Sequence, residues 1–116
     1  MEMVTAIAND IAFEDIFVCQ LRTLAEPDDV FLSVSSSRDS ENIVGAVDCA
    51  AENGVYIIVM TGFDGGRSTK RAKINLHVAA DNYGAIEDVH LYLIHILAQF
   101  LRKDAMTVSR IGDNRF

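Results

Sequence analysis

The sequence lacks features that are typical of disordered, membrane-spanning and secreted proteins. It has one proline in 116 residues, and half of its residues are hydrophobic, which is typical of a folded chain and not of a disordered one. Its longest apolar run is far shorter than the roughly 20 residues that a helix needs to span a bilayer. The N-terminus lacks the basic region and apolar run of a secretory signal peptide. These absences predict a cytoplasmic protein with no membrane partner, and the length predicts one domain.

Basic residues and cysteines are also few. Ten Lys and Arg residues stand against 17 Asp and Glu residues, a net charge of −7, and the cations form no stripe. Nucleic-acid binding depends on clustered cations that release counterions from the phosphate backbone, so we expect no nucleic-acid partner. The two cysteines, Cys19 and Cys49, each lie in an apolar helical pattern, which favours buried free thiols over a disulfide.

The apolar pattern predicts an α/β fold with a parallel sheet and right-handed crossovers. Six consecutive apolar residues, Val55–Met60, are typical of a central parallel strand that is covered on both faces. Val30–Val34 is also predicted to be a buried strand, and the alternation in Ile74–Val78 suits a strand nearer an edge. Helical spacing predicts helices over Ile11–Leu24, from Ile43 to Ala50 with an end at Gly54, and over Ala85–Arg102, whose buried side would hold Ile86, Val89, Leu93, Ile94, Leu97 and Leu101.

A serine-rich segment follows the first predicted strand. Five serines fall within residues 33–40, directly before a predicted helix. Ligands of open α/β sheets bind beyond the carboxyl ends of the strands, where the free N–H groups and the dipole of a helix N-terminus favour an anion. Arg38 would add a charged contact to a phosphate. The alternative is that serines simply cap the helix, but five in eight positions favour the anion site.

Two common phosphate-binding motifs are missing from the sequence. There is no Gly-Lys-Ser/Thr of a nucleotide P-loop and no Gly-x-Gly-x-x-Gly of a dinucleotide fold. Nucleoside triphosphates and dinucleotides are therefore disfavoured as ligands.

Four parts of the chain resemble motifs of sugar-isomerase (SIS) domains, and in particular those of the phosphoheptose isomerase family. Val34–Val44 resembles the family's Ser-Thr/Ser-Ser-Gly-Asn-Ser-x-Asn phosphate loop. The other three are Thr5–Asp10, similar to Thr-Ala-x-x-Asn-Asp, Thr61–Gly66, similar to Thr-Gly-x-Asp-Gly-Gly, and the last helix with Asp81–Gly84, Glu87–His90 and Ile94–Leu97. The motifs follow the family's order and cover nearly the whole chain.

Residues 104–116 have no apolar period and are predicted to form a mobile tail. The resemblance implies a three-layer, flavodoxin-like SIS fold with a parallel sheet, N-terminally truncated, with a partial SIS domain over residues 1–103. It implies a homo-oligomer, a dimer or tetramer, that interconverts sedoheptulose 7-phosphate and a heptose 7-phosphate. Matched to the motifs, Ser35, Ser36, Ser37 and Ser40 would hold the phosphate, Asn9 and Asp10 would line the sugar, and Glu87 and His95 would face the reacting carbons, or a zinc ion where the family binds one.

The chemistry of aldose–ketose isomerisation explains why a carboxylate and an imidazole, such as those of Glu87 and His95, would lie beside the reacting carbons. A proton leaves one carbon and returns to its neighbour through an enediolate, which calls for a carboxylate or imidazole base and a donor or metal on the oxygen. Residues eight apart lie roughly 80° apart around a helix, so the two side chains could converge on one ligand. We expect His90 to be partly solvated without a functional role and His77 to point outward from the last strand.

The sequence also departs from the family in three respects. It begins after the family's second strand, so the first strand, its Gly-Ser-Ala loop and the helix with a catalytic Glu and a zinc-ligating His have no counterpart. The glycine of the phosphate loop is Arg38, and the next residue is Asp39 in place of Asn, which adds negative charge near the phosphate. The usual Gln of the last helix is Glu87.

Two hypotheses of function follow. One is a sugar-phosphate isomerase that is completed by another chain or by an N-terminal half. The other is a non-catalytic SIS module that binds a sugar phosphate or a protein partner. A doubly wound sheet that lacks strands leaves an open edge and an apolar surface, so we also expect association through the helices Ile11–Leu24 and Ala85–Arg102.

Overall fold

The chain folds as the predicted alternation of helices and parallel strands. The computed structural model describes residues 2–37 and 39–106. In chain order, the elements are α1 (Glu2–Asp10), a 3₁₀ turn (Phe13–Asp15), α2 (Ile16–Leu24), β1 (Val30–Ser35), α3 (Glu41–Glu52), β2 (Tyr56–Thr61), a second 3₁₀ turn (Arg67–Arg71), β3 (Ile74–His77) and α4 (Tyr83–Asp104). The rest of the predicted mobile tail lies outside the described residues.

The three strands form one parallel sheet in the order β1-β2-β3. Leu32 pairs with Ile58, and Ile58 pairs with Ile74 on the other side. The prediction of a central β2 is confirmed, because Ile57 and Val59 are almost fully buried. The prediction that β1 is buried was wrong. It has one neighbouring strand in the described part of the chain, and Val30, Leu32 and Val34 are exposed on one face of the sheet.

The core lies on the other face of the sheet. Side chains alternate between the two faces of a strand, so Phe31, Ile57 and Val59 point towards α2 and α3, where Val47 and Ala50 of α3 pack against them. Both cysteines are free thiols, as predicted, Cys49 buried in α3 and Cys19 partly buried in α2. This packed layer holds β1 and α3 in place, and with them the loop that joins them.

The last helix, α4, covers only the carboxyl end of the second face. Ile86 and His90, near its start, are its buried residues. The predicted buried side was wrong for three of its six residues, because Val89, Leu97 and Leu101 are exposed. Ile86 is buried, and Leu93 and Ile94 are partly buried. Periodicity identified the apolar stripe of the helix, but a stripe does not show whether a neighbour covers it. In the described residues, no helix is sufficiently long and apolar to cross a membrane.

The N-terminal region differs from the single helix predicted over Ile11–Leu24. Ala12 has φ −161° and ψ 148°, an extended conformation that separates α1 from the 3₁₀ turn at Phe13. The apolar spacing of Val4, Ile7 and Ile11 is that of one helical face and accounts for α1, of which Ile7 is the buried residue.

Gly62, just after β2, allows α4 to approach the sheet. A Cβ at Gly62 would lie 2.6 Å from Cδ1 and Cγ2 of Ile86, a fully buried side chain. We expect Gly62→Ala to lower the free energy of unfolding by about 1–3 kcal/mol, the usual cost of overpacking, as measured by urea denaturation. Adding Ile86→Val should recover part of this loss, because valine lacks the Cδ1 atom, one of the two that would lie 2.6 Å from the new Cβ. An unchanged denaturation midpoint in Gly62→Ala would contradict this contact.

Candidate functional site

The serine loop, residues 36–40, lies where the sequence placed it, between the carboxyl end of β1 and the start of α3. The loop after β2 and the first turns of α4 border it. Ser36 contacts α4 through Glu87, and Asp39 contacts the loop after β2 through Arg67. Three segments that are distant in sequence therefore meet at one end of the sheet.

The serine hydroxyls form a chain of hydrogen bonds. Ser35 Oγ lies 3.1 Å from Ser37 Oγ, and Ser37 Oγ lies 2.6 Å from Ser40 Oγ. All three side chains are partly buried. A hydroxyl can donate one hydrogen bond and accept others, so these groups can rotate towards an anion that enters the loop.

The start of α3 argues against the simple capping role for the serines. Ser40 is the N-cap residue, but its side chain makes no capping hydrogen bond to the first turn. Its backbone carbonyl accepts from the N–H groups of Ile43 and Val44, while its hydroxyl bonds Ser37. The N–H of Ile43 also donates to Asn42 Oδ1 at 2.9 Å. The N–H groups of Glu41 and Asn42, which a helix leaves without intrahelical partners, are therefore those that could bind an anion at this helix start. Arg38 lies outside the described residues.

Glu87 of α4 lies beside the serine loop. Ser36 Oγ donates to Glu87 Oε1 at 3.1 Å; Glu87 is exposed and Ser36 is partly buried. A pocket of about 270 Å³ opens here; it is lined by Val34, Ser36, Glu87, His90, Leu91 and Ile94. A carboxylate therefore lines a small pocket together with the apolar side chains of Val34, Leu91 and Ile94.

Arg67 joins the serine loop to the loop after β2. Its backbone N–H donates to Asp39 Oδ1 at 2.7 Å, its Nε lies 3.2 Å from the same oxygen, and its Nη2 bonds Glu41. The negative charge predicted for Asp39 is therefore paired with a cation in the structure. The backbone N–H of Arg67, and then its side chain, lower the pKa of the Asp39 carboxyl below its ordinary value. This link is present at neutral pH and is lost only as the pH falls through that lowered pKa.

The remaining predicted residues do not meet at the serine loop. Asn9 and Asp10 are exposed at the end of α1, where Asn9 Nδ2 donates to Asp10 Oδ1 at 3.4 Å. His95 is exposed on α4, eight residues after Glu87 and thus about 12 Å further along the helix axis. It is not the core histidine that its apolar surroundings alone would suggest.

Zinc needs at least three protein ligands, and the described ranges contain no group of three or more His, Cys, Asp or Glu side chains that could hold a metal. In the part of the chain that the structure describes, Glu87 and His95 would need a further ligand, and their assignment to zinc stays a prediction.

Sequence reasoning missed a polar cluster at the end of β2. Thr61, which is buried, donates through Oγ1 to Asn75 Oδ1 at 2.8 Å, and its Oγ1 lies 3.0 Å from His77 Nδ1. His90 Nε2 lies 3.0 Å from the carbonyl oxygen of Thr61. The prediction that His90 is partly solvated was wrong, since it is 2% exposed. Its position four residues after Ile86 on the same helix face was the sign of burial.

Comparison with known proteins finds phosphoheptose isomerases among the relatives of this chain. The chain is 33% identical over 113 residues to the phosphoheptose isomerase of Alteromonas mediterranea, covering 95% of this chain and 57% of that protein. It is 34% identical over 102 residues to the phosphoheptose isomerase of Escherichia coli, with 87% and 53% covered. The chain is homologous to part of the phosphoheptose isomerases. No family model matches it.

Solved phosphoheptose isomerases have the same fold over the matched part. The structure from Francisella tularensis superposes with a TM-score of 0.83 at 32% identity, covering 88% of this chain and 57% of that one. The structure from Neisseria gonorrhoeae superposes with a TM-score of 0.80 at 34% identity. The predicted α/β SIS fold with a parallel sheet is confirmed. The chain spans little more than half the length of the phosphoheptose isomerases it matches.

Proposed function

We propose that this chain is the phosphate-binding part of a sugar-phosphate isomerase that acts on a heptose 7-phosphate such as sedoheptulose 7-phosphate. The observation that carries the proposal is the serine loop. Ser37 Oγ lies within hydrogen-bonding distance of both Ser35 Oγ and Ser40 Oγ, at a helix start that Ser40 does not cap through its side chain. The matches to phosphoheptose isomerases over most of this chain support the same reaction class.

In the proposed reaction, the phosphate anchors the substrate at the serine loop and the sugar extends towards α4. Serine hydroxyls and first-turn N–H groups of α3 would bind the phosphate oxygens. Glu87, held by Ser36, would accept a hydrogen bond from a sugar hydroxyl or hold a proton beside the reacting carbons. The base that removes the proton from carbon is assigned to the part of the relatives that this chain does not match, so we expect little or no turnover by this chain alone.

Binding of ligand to the isolated chain tests the proposal. Titration with inorganic phosphate, and separately with sedoheptulose 7-phosphate, should shift the backbone amide resonances of residues 35–44 in heteronuclear NMR spectra. Chloride at equal ionic strength serves as the control, because it screens charge without offering phosphate oxygens. Shifts of equal size with chloride, or none with either phosphate, would contradict a phosphate site in this loop.

The second candidate is a non-catalytic module that binds a sugar phosphate. The part of the relatives that this chain does not match favours it, since the base that removes the proton from carbon is assigned to that part. The two hypotheses share the serine loop and differ in turnover. Isomerase assays of the chain together with the unmatched portion of a relative separate them.

We further propose that the chain associates, as a homo-oligomer or with a polypeptide that supplies the unmatched portion. α4 exposes Tyr92, Phe100 and Leu101, each by more than 60%, and β1 exposes apolar side chains on the adjacent face. Large apolar side chains exposed in this number are typical of a protein that associates. Sedimentation velocity at micromolar concentration should give the mass of a dimer or tetramer, and Phe100→Glu with Leu101→Glu should lower that mass. A compact monomer for the unaltered chain would contradict self-association.

A further inference from the structure

His90 is a buried polar side chain that the proposed reaction leaves unused. Its Nε2 lies 3.0 Å from the carbonyl oxygen of Thr61. A carbonyl oxygen can only accept, so Nε2 carries the proton and donates. In the neutral ring, Nδ1 is then an acceptor, and it is buried with no hydrogen-bond partner in the described part of the chain.

The hydrogen bond from His90 is not needed to satisfy the strand. The Thr61 carbonyl already accepts from the N–H of Val78 at 2.9 Å, so it would stay paired if His90 were apolar. An unpaired buried acceptor such as Nδ1 is unfavourable. For packing alone, leucine would therefore serve at least as well as histidine, and the imidazole calls for another explanation.

We propose that His90 is a positioning residue that holds Glu87 against the serine loop. Glu87 precedes His90 by three residues, so the two lie close together on α4. Ile86, packed against Gly62, fixes the distance of the helix from the sheet. The bond from His90 to Thr61 fixes its rotation and its position along the axis, and His90, Glu87 and Ser36 line the same pocket. This role rests on the proposed function in so far as Glu87 contacts the sugar.

His90→Leu and His90→Gln form the matched pair of variants. Leucine keeps the volume and removes the donor, whereas the Nε2 amide of glutamine can still reach the Thr61 carbonyl. In the unliganded chain, we expect His90→Leu to keep or raise the melting temperature while the nuclear Overhauser contact between the Ser36 and Glu87 side chains is lost. His90→Gln should restore that contact. If the Ser36–Glu87 contact in His90→Leu is as strong as in the wild type, the proposal is wrong. Failure of His90→Leu to fold would also overturn it, because His90 would then be needed for packing.

Ligand binding provides a second measurement. His90→Leu should bind inorganic phosphate within about twofold of the wild type, since the serine loop is untouched, but should bind sedoheptulose 7-phosphate about tenfold more weakly. Equal weakening for both ligands would contradict positioning of Glu87. If the wild type binds neither ligand, the proposed function fails, and the Ser36–Glu87 contact in the unliganded variants still decides the role of His90.

Discussion

Replacing Ser37 and Ser40 together with alanine is expected to weaken binding of inorganic phosphate by a factor of about 100 or more. Each hydroxyl would donate a hydrogen bond to a charged phosphate oxygen, and such bonds are worth roughly 1.5–3 kcal/mol each. Two of them amount to about 3 kcal/mol or more, and every 1.4 kcal/mol is a factor of ten in affinity. Isothermal titration calorimetry or NMR titration of the chain measures the change.

The matched control is Thr23→Ala. It also removes a hydroxyl, from an exposed position on α2 where Thr23 Oγ1 donates to the carbonyl of Cys19, and it should leave phosphate affinity unchanged. If the double serine variant binds as tightly as this control, the anion is held elsewhere. A fall in affinity that only accompanies unfolding is identified by circular dichroism of the same samples.

The second large effect is expected at Glu87, in an isomerase assay of the chain combined with the unmatched portion of a relative. Glu87→Ala should lower kcat by about 100-fold or more, the usual contribution of a positioned side chain to proton transfer or charge stabilisation. The chain alone should show very low turnover or none. Robust isomerisation of heptose phosphate by the chain alone would show that no further base is needed.

Glu87→Gln separates two roles of this side chain. The amide oxygen of glutamine can still accept the hydrogen bond from Ser36, and glutamine is the residue that the resemblance places at this point of the family's last helix. We therefore expect Glu87→Gln to keep kcat within about tenfold of the wild type. A loss as large as that of Glu87→Ala would mean that Glu87 itself exchanges the proton.

Much of the fold could be predicted from the sequence because its strongest patterns are local. The apolar run before Thr61 specified a central strand, and the serines before α3 specified a loop at the end of β1. The exposure of β1 and of most of α4 could not be predicted, because periodicity gives the apolar face of an element and not what covers it. The break at Ala12 was missed for a similar reason, since alanine favours helix and carries no turn signal.

The site was predictable in part. The serine loop and its neighbour Glu87 followed from motifs, whereas the partners that hold them did not. His90 and Arg67 act through contacts with residues 29 and 28 positions away. The periodicity of a sequence carries no information about contacts between residues so far apart in the chain. Residues with such contacts can be identified only in the folded structure, where the helices and strands are packed together.

The contact between Asp39 and Arg67 has a consequence for how these two positions change over evolutionary time. A carboxylate in a loop that we propose to bind phosphate would repel that ligand, but here a guanidinium from the neighbouring loop offsets the charge. Loss of the arginine alone would expose the carboxylate, and loss of the carboxylate alone would leave Glu41 to hold the guanidinium. Relatives with an uncharged residue at position 39 have no such need for a cation at position 67. We expect the two positions to vary together, as a pair of mutually compensating substitutions.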